Sequence, residues 1–149
     1  MNNIFNSTFE NSLRVLLILS SENKAISNDM ISILDFISIY NKTLGVGEKD
    51  LNGQNSFAFC EYTTRRQIIK ESIKELVLCG LIDVVQMKKG FCYKINKNGK
   101  DVVSSFNTNY AKDYLFAIQA TLKFAKGKNE KQLISFINTK ANDLGGYNE

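Results

Sequence analysis

The sequence predicts a mainly α-helical α+β fold in which three helices precede a two-stranded β-hairpin and further helices follow. Apolar residues recur at helical spacing in several separate segments, which is typical of amphipathic helices. Two short segments rich in β-branched and aromatic residues flank a Lys-Lys-Gly turn, which favours a hairpin. The length of 149 residues suits one domain with a substantial core.

The first two helices are predicted from apolar spacing and from a capping residue. Helical spacing over residues 9–19 predicts a helix with one buried face, made of Phe9, Leu13, Leu16, Leu17 and Leu19. Glu10 and Arg14 form an i, i+4 pair of the favourable orientation. A second helix is predicted after Ser27, whose hydroxyl can cap the first turn, with Asp29 near the positive end.

The third helix is predicted to follow a loop that spans residues 41–62. Residues 64–67, Thr-Arg-Arg-Gln, match the capping box, so the helix is predicted to begin there. It ends at Gly80, which suits the left-handed position that closes a helix. This start places Arg65 and Arg66 in the first turn, where the helix dipole disfavours positive charge.

A β-hairpin is predicted directly after the third helix. Residues 81–87 and 91–96 flank the turn at 88–90, and in the second segment Phe91, Tyr93 and Ile95 alternate with Cys92, Lys94 and Asn96. The alternation predicts one buried face. Three helices followed by a hairpin is the order of a winged helix-turn-helix domain, and we assign residues 1–106 to it.

Residues 107–149 are predicted to form a C-terminal helical extension that packs on this domain or on a partner. A short helical stretch over 101–106 leads to a helix from about residue 108 to residue 125 that is apolar most of the way around. Its apolar residues are Tyr110, Tyr114, Leu115, Phe116, Ile118, Leu122 and Phe124. A last amphipathic helix places Leu133, Phe136 and Ile137 on one face.

Composition argues against several functional classes. The chain has no histidine, which excludes Ser-His-Asp triads, Cys-His dyads and His-ligated zinc. Cys60, Cys79 and Cys92 are odd in number and form no C-x-x-C motif, so neither a disulfide framework nor a zinc knuckle is indicated. We therefore expect no enzyme activity, no metal and no cofactor. No apolar run approaches a membrane span and no signal peptide is evident, so a cytoplasmic protein without membrane contact is expected.

Positive charge is concentrated in the second part of the chain. Residues 1–62 hold four Lys or Arg against seven Asp or Glu, whereas residues 63–149 hold fifteen against eight. In a winged helix the third helix enters the DNA major groove and the wing follows the phosphates. The candidate residues for binding nucleic acid or an acidic partner are Arg65, Arg66, Lys70, Lys74, Lys88 and Lys89.

Three uses of these basic residues stay open: a solvated face, a DNA contact or a protein interface. For Arg65 and Arg66 a local pairing with Glu61 is the alternative to a phosphate or an acidic surface.

Several short segments occur together in the order and spacing of a known family. They are Ile4-Phe5-Asn6-Ser7, residues 9–14, Leu34-Asp35-Phe36, residues 51–56, residues 61–66 and residues 78–82. Over residues 4–96 the combination resembles the middle component of bacterial ABC three-component conflict systems, a group that includes the Lamassu antiphage systems and their middle protein LmuC. The matching positions are Phe5, Asn6, Ser7, Arg14, Asp35, Asn52, Gly53, Asn55, Arg65 and Arg66.

The resemblance implies a non-enzymatic winged-helix subunit that attaches an effector subunit, such as a nuclease, to an SMC-like ABC ATPase. The complex would recognise foreign double-stranded DNA. The resemblance further implies that the matching positions outside the basic set serve a partner interface, and that Arg65 and Arg66 meet an acidic protein surface. The residues by themselves leave a second interpretation open, a free-standing winged-helix transcription regulator that binds DNA as a dimer.

Overall fold

Helices make up most of the computed structural model, which describes residues 8–51 and 59–145. In chain order the elements are α1 (Thr8–Ser21), β1 (Ile26–Ser27), α2 (Asn28–Ile39), α3 (Phe59–Leu78), β2 (Ile82–Met87), β3 (Gly90–Ile95), α4 (Lys97–Ser104), α5 (Asn109–Ala125) and α6 (Glu130–Gly145). The fold of the described residues is therefore mainly α with a small antiparallel sheet, as the α+β class requires.

Helix α2 lies at the centre of the molecule. It begins as predicted, because the Ser27 hydroxyl accepts a hydrogen bond from the Met30 amide at 3.0 Å. Every residue of the segment 31–39 is buried, since α1, α3, α5 and α6 all pack against α2. Helix α1 lies beside it and buries every residue from 13 to 19. Phe9, which was predicted for the inner face of α1, is instead 68% exposed.

The sheet has three strands in the order β1-β3-β2, all antiparallel. The β2-β3 hairpin is confirmed, but β1 was not predicted and pairs Ile26 with Tyr93. Burial in β3 does not follow the predicted alternation: Cys92 and Ile95 are buried whereas Phe91 is 59% exposed. The hairpin packs against α1 and β1 through β3 and against α3 through β2.

The predicted start of α3 is wrong. The helix begins at Phe59 and has 20 residues, so the loop before it is shorter than predicted. Thr64 is an exposed residue within the helix and does not cap it. Tyr62 favours the earlier start because its ring packs edge-on against Phe36 of α2, 5.3 Å between centroids. Arg65 therefore lies in the second turn, and the dipole argument made for the first turn does not apply to it.

Helix α4 follows the hairpin directly and begins four residues before the predicted position 101. The Asn96 side chain caps it by accepting a hydrogen bond from the Gly99 amide at 3.0 Å. The same side chain donates to the Gly80 carbonyl, also at 3.0 Å. One side chain thus joins the start of α4 to the end of α3.

Helix α5 begins after Thr108, whose hydroxyl accepts from the Ala111 amide, close to the predicted position. It packs on α1 and α2 and fully buries Tyr114 and Ile118. Most of its apolar surface is thereby covered within the chain, although Phe116 is 65% exposed. Leu133 and Ile137 of α6 are fully buried in the same core. The domain boundary near residue 106 stays a prediction.

Candidate partner-binding site

Three charged residues that the sequence singled out meet in the interior. Arg14 of α1 donates from Nε to Oδ1 of Asp35 at 2.8 Å, and Arg65 of α3 donates from Nη2 to Oδ2 of the same carboxylate at 3.3 Å. Arg14 and Asp35 are 0% exposed and Arg65 is 5% exposed. The Asp35 carboxylate therefore joins α1, α2 and α3.

Helix α5 contributes to the same network. The Tyr114 hydroxyl donates to Oδ1 of Asp35 at 2.7 Å. The Arg14 guanidinium also donates to the Tyr110 hydroxyl at 3.4 Å and to the side-chain oxygen of Asn11. We call these six residues, Asn11, Arg14, Asp35, Arg65, Tyr110 and Tyr114, the buried charge cluster.

The protonation states follow from this geometry. Burial by itself raises the pKa of Asp35, but the charges of Arg14 and Arg65 and the hydrogen bonds from Tyr114 and Arg14 outweigh it, so the pKa lies below its usual value. Burial and the neighbouring carboxylate raise the pKa of Tyr114 well above its usual value. Asp35 is thus ionised and Tyr114 is a neutral donor, an arrangement suited to holding four helices together.

The predicted interface positions fall into two groups. Arg14 and Asp35 lie inside the molecule, and their direct contact with a partner stays a prediction. The remaining positions, Phe5, Asn6, Ser7, Asn52, Gly53 and Asn55, lie outside the described residues.

The structure separates the predicted basic residues into one buried and five exposed side chains. Arg65 belongs to the buried charge cluster, whereas Arg66, Lys70 and Lys74 are exposed along α3. Lys88 and Lys89 are exposed at the turn between β2 and β3. Arg66 donates to Oδ1 of Asp29, from Nε at 2.9 Å and from Nη2 at 2.5 Å. We call the five exposed residues the basic face.

An open groove of about 1090 Å³ lies between the hairpin, β1 and the C-terminal half of α5. Its apolar lining includes Ile26, Met30, Met87 and Phe116. Lysines surround this lining: Lys24, Lys89, Lys123, Lys126 and Lys128. We call it the lysine-rimmed groove. The groove was not predicted from the sequence, although Lys123, Lys126 and Lys128 lie within six residues of one another at the end of α5.

The ordered end of α5 shapes one wall of this groove. Lys128 donates from Nζ to the Phe124 carbonyl at 2.7 Å and lies 4.5 Å from the centroid of the Phe124 ring. The Ser27 hydroxyl, which also caps α2, donates to Glu130 at 2.5 Å. The start of α6 is thereby fixed against β1.

Within residues 8–51 and 59–145, no group of three or more His, Cys, Asp or Glu side chains is arranged to hold a metal ion. In the same part of the chain, no helix has both the length and the apolar character needed to cross a membrane.

Comparison with known proteins gives one match that covers nearly the whole chain. The family model described as ABC-three component (ABC-3C) system Middle Component 2 matches residues 4–146. No curated protein and no solved structure matches the chain. The family match includes both the resembling segments and the C-terminal helices.

Proposed function

Because the chain belongs to the family of ABC-three component system middle components, we propose that it is the bridging subunit that links an effector to an SMC-like ABC ATPase. The complex would act in bacterial defence against phages or plasmids, as the similarity to Lamassu systems suggests. The family match over residues 4–146 is the observation on which this proposal rests. DNA would be engaged by the assembled complex in the cytoplasm.

The hairpin supports a bridging role because it exposes apolar residues on both of its faces. Val84 pairs with Tyr93 and Gln86 pairs with Phe91, so Val84 and Phe91 share one face. Met87 lies one position further along β2 and belongs to the opposite face, where it lines the lysine-rimmed groove. These three side chains are 42% to 59% exposed. Exposed apolar patches mark interaction sites, and Val84 and Phe91 on one face, with Met87 on the other, give the hairpin apolar surface that a partner can cover.

The proposal assigns the chemistry of the system to the partners. A chain without histidine has no side chain that ordinarily exchanges protons near neutral pH. The buried charge cluster brings two arginines and an aspartate together, but Arg14 and Asp35 are fully enclosed. We therefore propose a non-enzymatic subunit.

Binding measurements with the two components encoded beside this chain test the proposal. Isothermal titration calorimetry of the purified chain with each component separately is expected to show binding to both, and binding of the second is expected to persist when the first is saturated. A well-folded chain that binds neither component, or that binds both only in competition, would contradict a bridging role.

A free-standing winged-helix transcription regulator is the second candidate. It is favoured by the element order α1-β1-α2-α3-β2-β3 and the antiparallel order β1-β3-β2, which we propose form a winged helix. In that case α3 would lie in the DNA major groove and the turn with Lys88 and Lys89 along the phosphates.

The variant Lys70→Ala with Lys74→Ala separates the two candidates. A regulator in which Lys70 and Lys74 contact DNA phosphates would lose DNA affinity in this variant. The slope of log affinity against log salt concentration would also become shallower by the equivalent of two phosphate contacts, each of which contributes about 0.9. A bridging subunit would keep its affinity for both partner proteins. Arg65 is unsuitable for this test because its replacement would disturb the buried charge cluster.

A further inference from the structure

The lysine-rimmed groove is a feature that the buried charge cluster and the family match leave unexplained. Of the described residues, five lysines and two glutamates line it, which gives an excess of three positive charges. All five lysines are exposed, whereas Glu22 and Glu130 are half-buried. The potential at the rim therefore favours a negatively charged partner.

The lining of the groove has a different character from its rim. Ile26 is 6% exposed and belongs to the main core, and Met30 packs against that core. Above them Met87 is 42% exposed and Phe116 is 65% exposed. Among residues 8–51 and 59–145 these two large side chains stay exposed, and methionine and phenylalanine are enriched where proteins bind other proteins.

We propose that the lysine-rimmed groove binds an acidic amphipathic helix from another component of the three-component system. This inference rests on the proposed bridging function and names the chemistry of one partner. Apolar residues on one face of the helix would contact Met87 and Phe116, and Asp or Glu on its flanks would pair with Lys123, Lys126 and the other rim lysines. This is the helix-in-groove mode of recognition.

The size of the groove fits this occupant. A helix about 11 Å across that rises 5.4 Å per turn occupies roughly 500 Å³ per turn. The groove is open and has a volume of about 1090 Å³, so it has room for one face of a helix of two turns or more. In a helix of two turns, the residues at positions i, i+3, i+4 and i+7 lie on one face. Apolar residues at these positions would be enough to cover Met87 and Phe116.

The apolar lining also favours protein over nucleic acid. A phosphate backbone would satisfy the lysines but would leave Met87 and Phe116 against a charged surface, with no burial to stabilise the contact. An acidic amphipathic helix satisfies both requirements at once. The exposed lysines of α3 in the basic face, Lys70 and Lys74, do not line this groove and are the better candidates for phosphate contact.

Charge reversal at the rim tests the inference in the reconstituted complex. The variant Lys123→Glu with Lys126→Glu is expected to weaken binding of one component at least tenfold and to leave binding of the other unchanged. The matched control, Lys100→Glu with Lys112→Glu, makes the same change in net charge at exposed positions outside the groove. It is expected to bind both components like the unmodified chain. Thermal melting of both variants shows that they are folded.

A photo-crosslinking phenylalanine analogue at position 116 identifies what lies in the groove. The expected crosslink, mapped by mass spectrometry, joins position 116 to a segment of another component in which acidic and apolar residues alternate at helical spacing. Reversing two acidic residues of that segment to lysine is expected to restore binding to the Lys123→Glu, Lys126→Glu variant.

The outcomes separate this inference from the proposed function. If the unmodified chain binds both components and the groove variant binds them equally well, the inference is wrong and the bridging role stands. A crosslink to a second copy of the chain, or a groove variant that loses affinity only for duplex DNA, would also overturn it. If the unmodified chain binds no component, the bridging role fails and the inference fails with it.

Discussion

Asp35 accepts hydrogen bonds from three helices and is the residue on which the packing of α1, α3 and α5 around α2 depends. Its partners are Arg14, Arg65 and Tyr114. Removing one member of a buried ion pair leaves the other charge uncompensated in a medium of low polarity, which is far more destabilising than the loss of an exposed pair.

Replacement of Asp35 by Asn is expected to reduce the free energy of unfolding by about 3–5 kcal/mol, because Arg14 is then buried without a counter-ion. The matched control is Asp29→Asn, which breaks the half-exposed pair with Arg66. Exposed pairs contribute about 0–1 kcal/mol. Urea denaturation of both variants measures the difference. Equal, small losses would show that the cluster does not hold the helices together.

The same residue gives a pH dependence of stability at the acid end. The pKa of Asp35 is lower in the folded chain than in the unfolded chain, where it is about 3.9. The stability that ionised Asp35 contributes is therefore present when the pH is above its unfolded pKa. It is lost as the pH falls from the unfolded pKa toward the lower folded pKa. The urea midpoint of the unmodified chain should therefore fall more steeply than that of the Asp35→Asn variant as the pH drops below about 4, near the unfolded pKa of aspartate.

At alkaline pH, buried tyrosines make the stability of the fold decrease as the pH rises. Burial raises the pKa of Tyr62 to about 12, and burial raises the pKa of Tyr110 and Tyr114 as well. The stability that these neutral tyrosines contribute is present when the pH is below about 10, the tyrosine pKa in the unfolded chain. It is lost as the pH rises from there toward the higher pKa of the folded chain. Three of the six tyrosines are therefore expected to give tyrosinate absorbance only together with unfolding, above pH 10, about where free tyrosine ionises. Full ionisation of the folded chain at that pH would contradict the burial of these rings.

The buried charge cluster shows how much of the site was predictable at the residue scale. Arg14 follows Leu13 and precedes Val15, and Asp35 lies between Leu34 and Phe36, so each charge interrupts an apolar segment. A charged residue within an apolar segment predicts a buried side chain that has a partner of opposite charge. It does not identify the partner, because Arg14 and Asp35 are 21 residues apart and meet only once α1 packs beside α2. The sequence by itself predicts only the local i, i+4 pair of Arg14 with Glu10.

The elements that were predicted correctly are those whose signals are local. Ser27 caps α2 and Thr108 caps α5 through side-chain bonds to amides three residues on. Strand β1, by contrast, has two residues and exists because Ile26 and Ser27 pair with β3, a contact across more than sixty residues of chain. The start of α3 was misplaced because Thr64 and Gln67 match a capping box by composition, although both lie on the exposed side of the helix.

Helix α4 is attached to the hairpin by a close approach at Gly99. A Cβ at this position would lie 2.3 Å from the Leu81 carbonyl oxygen and 2.6 Å from Cγ1 of Ile95. Gly99→Ala must therefore displace backbone, and overpacking of this kind costs about 1–3 kcal/mol. Asn98→Ala, an exposed neighbour in the same helix, is the control and is expected to change stability by less than about 0.5 kcal/mol.

Thermal or urea unfolding of these two variants measures the contribution of the α4 attachment. If Gly99→Ala unfolds at the same midpoint as the unmodified chain, α4 does not pack on the hairpin as described. Alanine has a higher helix propensity than either glycine or asparagine, so an equal loss of stability in both variants would show that the loss is not specific to the contact with Leu81 and Ile95.

At the scale of the whole molecule, one hydrophobic core contains residues from both the first helix, α1, and the last described helix, α6. Leu17 of α1, Phe36 of α2, Tyr114 of α5 and Ile137 of α6 are each completely buried in it. The sequence predicted that the apolar surface of α5 needs a cover, but spacing could not decide between this chain and a partner. The structure shows that α1 and α2 supply most of it, and that Phe116 stays exposed for another contact.

The bridging role is tested most directly by leaving this chain out of the complex. Native mass spectrometry of the effector and the ATPase, expressed with and without this chain, measures which assemblies exist. A bridging subunit predicts a ternary complex when all three are present, and separate effector and ATPase when this chain is left out. An effector-ATPase complex that forms equally well without this chain would contradict the account.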